Sequence, residues 1–363
     1  MNKMIKIKTR PPYRIRIAAG LLQQSGELLG ALIPAGSRIA VLASETPARH
    51  YREILEKSLK NAGFDYFFLC IPPGEENKNL QTVSDLYDAL IAAGLDRSDC
   101  ILALGGGRVG DIAGFVAATL YRGIPFIQIP STLLAQVDAS LGGKTGVNHE
   151  KAKNLIGAFY QPKMVLIDPL LLRTLDMRER VSGFAEVLKY GFIADPRLLE
   201  SCIAQKGAIL MMEDMPLLSD IIFRAVRIKA RIVEKDERES GLRMILNFGH
   251  SIGHAIEQAS GYALRHGEAL LTGMDAALRL SRRFSGLSAE NAERYGAFLR
   301  ELPRPKLAAD ISSEKLMDIL RYDKKIQNRR TRFVLLRAAG KTQIYHDIPK
   351  TALHEILETI LNP

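Results

Sequence analysis

The sequence predicts an α/β N-terminal domain with a mostly parallel sheet, joined to a mainly α-helical C-terminal domain. Two observations predict it. Up to about residue 174, short apolar runs alternate with segments of helical period, as strands and crossover helices do. Beyond that point long helical patterns dominate, separated by short polar breaks. A chain of 363 residues is long enough for two cores, and the change of texture places the domains at 1–175 and 176–363.

Each element has its own signal. MIKIKT and YRIRIAAG, on either side of Pro11-Pro12, alternate apolar and basic residues as two half-exposed strands would. Apolar runs at Ile39–Ala43, Tyr66–Ile71, Ile101–Leu104, Phe126–Ile129 and Met164–Ile167 read as buried strands. Tyr51–Ala62 and Leu80–Ala93 carry helical periodicity between them. Helices are expected over roughly 177–193, 216–235, 248–259 and 266–284. A hairpin, Arg332–Leu336 and Thr342–Tyr345 joined through Ala339-Gly340-Lys341, precedes a closing helix. No repeat interrupts the series.

Composition narrows the class. With 47% apolar and 25% charged residues, 29 Gly and 16 Pro, the chain is neither disordered nor collagen-like. Cys70, Cys100 and Cys202 lie far apart with no CxxC, and read as buried, reduced thiols. No apolar run reaches membrane-spanning length and the basic N-terminus lacks a signal peptide's apolar block, so a cytoplasmic protein without a membrane partner is expected. The net charge is +10, and Lys3, Lys6, Lys8, Arg10, Arg14 and Arg16 supply six of it on what reads as a solvated strand face. Arg329, Arg330 and Arg332 form the one basic run suggestive of nucleic acid. No basic stripe interleaved with aromatics accompanies it, so a nucleic-acid partner is not expected.

Four constellations carry chemistry. Gly105-Gly106-Gly107-Arg108-Val109-Gly110-Asp111 stands between a strand and a helical run, where bare backbone amides and a helix N-terminus favour a phosphate. It fits G-x-G-x-x-G, yet follows a later strand than the usual dinucleotide fingerprint, which favours a nucleotide site of non-standard order over a plain glycine turn. Residues 130–154 combine Ser131, Thr132, Ser140 and Thr145 with Asp138, Lys144 and Lys153. Ten of the 29 glycines fall between 105 and 157. Charges inside so apolar a stretch need partners, which points to a polar small-molecule site. Three of the seven histidines, His250, His254 and His266, lie within 17 residues. His250 and His254 share a helix face at i, i+4, the spacing of paired metal ligands; residue spacing alone leaves open which of the three bind and which carboxylate joins them. Last come the cations Arg122, Lys189, Lys229, Arg243 and Lys324, available to phosphate or carboxylate. Taken singly, Lys229 and Arg243 read as surface residues.

These constellations, in this order, resemble the 3-dehydroquinate synthase family of sugar phosphate cyclases. The resemblance runs from Leu42 to the Lys324 region through GGGRVGDIAGFVA, RGIPFIQIPSTLLAQVDASLGGKTGVN, GFAEVLKYG, RESGLRMILNFGHSIGHAIE and HGEA. It implies a homodimeric NAD- and metal-dependent lyase of the shikimate pathway. The implied reaction takes 3-deoxy-D-arabino-heptulosonate 7-phosphate, a small anionic sugar-acid phosphate, to 3-dehydroquinate and phosphate. Transient oxidation, phosphate elimination, re-reduction and an intramolecular aldol closure are its implied steps. The implied ligands of Zn2+ (or Co2+) are Glu186, His250 and His266, with His254 moved to the substrate side, near the leaving phosphate.

Implied substrate positions are Arg122, Asp138, Lys144, Asn154 and Lys189, then Lys229, Arg243, Asn247, His254 and Lys324. Implied NAD positions are Ser44, Glu75, Lys78, Gly106, Gly107 and Asp111, then Ser131, Thr132, Lys153 and Thr174, with Asp138 and Lys144 shared. Three positions depart from the family pattern: Ser44 where Asp or Asn is common, Arg108 where an apolar residue is usual, and Ala152 in place of Gly. Two neighbouring activities compete, a cyclase acting on a sedoheptulose or glucose phosphate and a metal-dependent polyol dehydrogenase.

Overall fold

The structure is a computed structural model that describes residues 3–239, 241–326, 332–346 and 348–362, with backbone alone over 322–326. Arg329 and Arg330, and the side chain of Lys324, lie outside the described residues. The chain forms two compact units, Met1–Leu175 with Met212–Arg238, and Asp176–Met211 with Glu239–Pro363.

In the first unit the strands are β1 (Lys3–Ile7), β2 (Tyr13–Ile17), β3 (Arg38–Ala43), β4 (Asp65–Cys70), β5 (Cys100–Gly105), β6 (Phe126–Pro130), β7 (Lys144–His149), β8 (Ala152–Phe159) and β9 (Met164–Ile167). Seven of them make one sheet in the order β1-β2-β9-β6-β5-β3-β4, parallel except for the β1–β2 pair. Strands β5, β6 and β9 are buried throughout, which is why their sequences read as continuous apolar runs. Period-two alternation then sorts the sheet's two faces. Val41, Leu102 and Leu104 pack with Tyr51, Leu55 and Leu59 of helix Glu45–Asn61. Ala40, Leu42, Ile101 and Ala103 pack instead with Val83 and Leu86 of helix Leu80–Ala92 and Ile112 and Val116 of helix Gly107–Thr119.

Three features differ from expectation. Strand β4 is an edge strand, so its side chains are partly exposed and Cys70, at its end, is exposed rather than buried; Cys100 and Cys202 are buried. Residues 144–159, to which the sequence reading assigns no element, form an antiparallel hairpin, β7–β8. Its β signal is diluted by Gly146 and Gly157, whose missing side chains let the strands close; a Cβ on either would fall within 2.4 Å of the partner strand's carbonyl oxygen. Helix Met215–Lys235 packs against β1 and residues 135–139, so it belongs with the sheet rather than with its helical neighbours in sequence. That packing also holds one of the six N-terminal charges: Lys3 Nζ meets Asp220 Oδ1 at 3.0 Å and lies over the Phe223 ring.

Among its described residues the second unit is helical apart from a hairpin, β10 (Arg332–Ala338) and β11 (Lys341–His346). Its central helices are Met177–Ala194, His250–Ala259 and His266–Phe284. They meet through glycines. A Cβ on Gly267 would stand 2.1 Å from the Ser182 carbonyl oxygen, and one on Gly273 would stand 2.2 Å from that of Gly249. Gly249, at φ +77°, occupies the left-handed region just before His250. Among the described residues no helix is long and apolar enough to cross a membrane.

Replacing Gly267 by Ala pushes a methyl group into backbone that cannot rotate away. The variant is expected to lose about 1–3 kcal/mol of stability by urea unfolding. Gly207→Ala, where no heavy atom stands within 4 Å, is expected to be neutral or to gain about 0.4–1 kcal/mol. Equal stability of the two variants contradicts the close-contact reading.

Candidate active site

In the first unit the sheet order reverses at β3, which has β4 on one side and β5 on the other. Ligands of open parallel sheets bind outside the carboxyl ends of strands at such a reversal. Ser44 directly follows β3, and Gly105-Gly106-Gly107 ends β5 and opens helix Gly107–Thr119. Gly106 caps that helix without a side-chain hydrogen bond, leaving its first amides open to an anion. Packing within the unit also requires glycine at 105 and 107. A Cβ on Gly105 would meet Val109 at 2.6 Å, and one on Gly107 would meet Ala139 at 2.8 Å. These residues therefore suit a dinucleotide pyrophosphate.

Beside them lies a buried polar network. Lys78 Nζ donates to Asp111 Oδ2 at 2.6 Å and to Asn154 Oδ1 at 2.5 Å. Burial raises the Asp111 carboxyl, and the Lys78 charge opposes that shift. Asn148, which sequence reasoning missed, joins the rest. Its side-chain amide donates to Glu75 Oε1 at 2.8 Å, and its Oδ1 accepts from the Asn154 backbone at 3.0 Å. Lys153 Nζ stands 3.9 Å from Glu75. Lys229 is no surface residue: it donates to the Asp138 carbonyl at 2.8 Å and stands 2.9 Å from Oδ1 of the same residue. Asp138 sits on a single π-helical turn, Ala135–Ala139, of the kind that often marks function. Ser131 donates its backbone N–H to the Gly105 carbonyl, Thr132 adjoins Gly106, and Thr174 is held by the Tyr51 hydroxyl at 2.6 Å. Arg122 and Lys144 are exposed.

The second unit gathers Glu186, Lys189, His250, His254 and His266. Glu186 Oε1 lies 3.4 Å from His250 Nε2 and 3.2 Å from His266 Nε2, and Lys189 Nζ lies 2.5 Å from Oε2. The carboxylate is 1% exposed. Burial opposes its charge, but Lys189 and the two imidazoles outweigh that and hold it well below the usual carboxylate range. Burial likewise opposes a charge on His266, yet Glu186 and Glu257 push its pKa up to about 10.

This donor set fits a catalytic divalent metal. Tetrahedral ligands at bond lengths of about 2.0–2.2 Å stand roughly 3.3–3.5 Å apart, close to the Glu186–His250 and Glu186–His266 separations. The three imidazoles are also mutually close, with ligand atoms within 4.8 Å. Outer hydrogen bonds separate them. The Nδ1 of His250 faces the Phe248 carbonyl and that of His266 faces Glu257, each at 3.2 Å, as ligating histidines require. No described residue orients the exposed ring of His254 in this way. Arg243 is buried and Asn247 half-buried on the short helix Leu242–Asn247 that leads into His250.

Known proteins share both the sequence and the fold. The family models for the N-terminal and C-terminal parts of 3-dehydroquinate synthase match residues 68–182 and 183–326. The chain belongs to the 3-dehydroquinate synthase family. It is 43% identical to the 3-dehydroquinate synthase of Nostoc punctiforme over 95% of this chain and 96% of that one. The Pelobacter propionicus enzyme of the same name is 48% identical over 84% of each. Among solved structures, 2-epi-5-epi-valiolone synthase from Streptomyces hygroscopicus, with NAD+ and Zn2+ bound, superposes at TM-score 0.89 with 27% identity, covering 96% of this chain and 97% of that one. A 2-deoxy-scyllo-inosose synthase carrying carbaglucose-6-phosphate, NAD+ and Co2+ gives 0.86 with 26% identity, over 99% and 100%. An NADH-dependent butanol dehydrogenase from Thermotoga maritima shares the fold at 0.68 and 17% identity, over 95% and 96%. The mostly parallel sheet and the helical unit are thus those of a sugar phosphate cyclase.

In this member of the dehydroquinate synthase family, the helices carrying Glu186 and His266 are tied at their starts. Asp176 caps helix Met177–Ala194 by accepting from the Glu179 amide at 2.8 Å and pairs with the Arg265 guanidinium. Arg178 forks onto the buried Glu268 carboxylate at 2.7 Å. The Arg265 hydrogen bonds hold the Asp176 pKa down to about 2. A depressed carboxyl stabilises the fold above its unfolded value of about 3.9 and loses that contribution as pH falls through about 2. Stability measured from pH 5 down to pH 2 should therefore decline less steeply in Asp176→Asn than in the parent chain. Parallel profiles refute the clamp.

Proposed function

We propose that this protein is a 3-dehydroquinate synthase, converting 3-deoxy-D-arabino-heptulosonate 7-phosphate to 3-dehydroquinate and phosphate as a carbon–oxygen lyase. The observation that carries the reading is the Glu186 carboxylate set between His250 and His266 in a chain whose β5–helix turn is built for a pyrophosphate. When bound, NAD+ and a divalent metal, Zn2+ or Co2+, supply the hydride acceptor and the electrophile for transient oxidation of a substrate hydroxyl.

The chain's own residues do the rest. Glu186, His250 and His266 hold the metal. The amides at Gly106 and Gly107 hold the pyrophosphate, while Asp111, fixed by Lys78, and Glu75, Lys153, Thr174 and Ser44 position the nucleotide. Ser131 and Thr132 add hydroxyls at the end of β6. Lys189 is locked to Glu186, so its ammonium is oriented before substrate arrives. His254, open to solvent, offers a ring N–H to a phosphate oxygen and a second nitrogen able to take a proton. Arg243, Asn247 and Lys144 bind the substrate's anionic and hydroxyl groups, with Arg122 and Lys324 completing that set. Lys229 and Asp138 act as one unit, because each fixes the other. The assembly is proposed to be a homodimer.

Curated relatives at 43–48% identity carry the dehydroquinate synthase name, whereas the solved cyclases of other named activity stand at 26–27%. That difference supports the seven-carbon sugar-acid phosphate as substrate. The purified protein is expected to release phosphate from it with no net NADH at 340 nm. Chelation should abolish release and Zn2+ or Co2+ should restore it, while Glu186→Gln should fall by more than about a hundredfold, beyond the usual loss for an outer-shell change. Accumulation of NADH in step with substrate consumed points instead to a dehydrogenase.

A further inference from the structure

Glu257 holds no ligand in the proposed chemistry, yet it is buried and its Oε2 lies 3.2 Å from Nδ1 of His266. Residues 250, 254 and 257 are spaced i, i+4, i+7, so one face of helix His250–Ala259 carries His250, His254 and Glu257 together. The two ligand histidines are therefore backed unequally. A neutral carbonyl, that of Phe248, faces His250, and a carboxylate faces His266.

We propose that Glu257 is a positioning residue for the metal, acting through His266. The inference rests on Glu186, His250 and His266 being the ligands. Glu257 accepts the Nδ1–H proton of His266, fixes the tautomer with its lone pair on Nε2, and makes that nitrogen the more electron-rich of the two imidazole donors. The same carboxylate sets the ring plane. Both effects strengthen metal binding without touching substrate.

The test is zinc affinity of the full chain, measured by competition with a chromophoric chelator for the parent, Glu257→Gln, Glu257→Leu and Glu186→Gln. Gln keeps an acceptor but loses the charge; Leu loses both. Affinity should fall about 10–100-fold in Glu257→Gln and further in Glu257→Leu, the usual range for an outer partner of a ligating histidine. At saturating zinc, kcat of Glu257→Gln should return to within a few-fold of the parent. Glu257→Gln binding zinc within twofold of the parent overturns the proposal. Equal zinc affinity of parent and Glu186→Gln overturns the ligand assignment instead, which separates the two failures. The unmodified zinc-loaded protein gives a variant-free check by nitrogen-15 histidine NMR. His266 protonated at Nδ1 agrees with the proposal, and protonation at Nε2 overturns it.

Discussion

The second unit depends on backbone meeting backbone. Helix Met177–Ala194 touches helix His266–Phe284 where Gly267 faces Ser182, and the latter helix meets Gly249 at Gly273. Side chains at these points would hold the helices apart. Because nothing intervenes, Glu186, one turn beyond Ser182, reaches His266, one residue before Gly267. Gly267 N–H also donates to Ser182 Oγ at 3.0 Å, so the contact satisfies an amide of the first helical turn. Gly249, in the left-handed region, turns the chain so that His250 begins its helix at the same place.

That contact sets an electrostatic problem whose solution is the site. A carboxylate 1% exposed is costly unless paired and hydrogen-bonded. Lys189 and the two imidazoles meet the cost for Glu186, and the raised His266 and depressed Glu186 are two sides of that pairing. The same logic recurs in the first unit, where Lys78, itself buried, is balanced by Asp111 and Asn154. Each cluster sets a buried charge against an opposite one, so the protein's own groups already offset its charge.

Much of this was legible in the sequence. The buried strands β3, β5, β6 and β9 appeared as apolar runs because parallel strands covered on both faces need no polar alternation. The glycine turn after β5 pointed to anion chemistry by spacing, whereas the His250–His254 spacing suggested a ligand pair of which the proposed metal set keeps only His250. Glu186 carried no such signal: it lies in an apolar helical run, GFAEVLKYG, where periodicity marks core, and only the family resemblance singled it out. Lys229 looked like surface because its partner, Asp138, is 91 residues away. The β7–β8 hairpin hid behind its glycines. Asn148 and Glu257 were missed although each sits inside a family motif; the H-x3-H-x2-E spacing of 250, 254 and 257 was the available signal for the latter.

On the proposed reading, the close helix contact sets one carboxylate beside two of three neighbouring imidazoles, and this set holds the metal. X-ray absorption at the zinc edge of the zinc-loaded protein tests that assignment directly. The expected spectrum has two imidazoles with oxygen donors at about 2.0–2.2 Å, an oxygen shell altered by Glu186→Gln, and no change in His254→Ala. Three imidazoles on the zinc, one of them lost in His254→Ala, would contradict it.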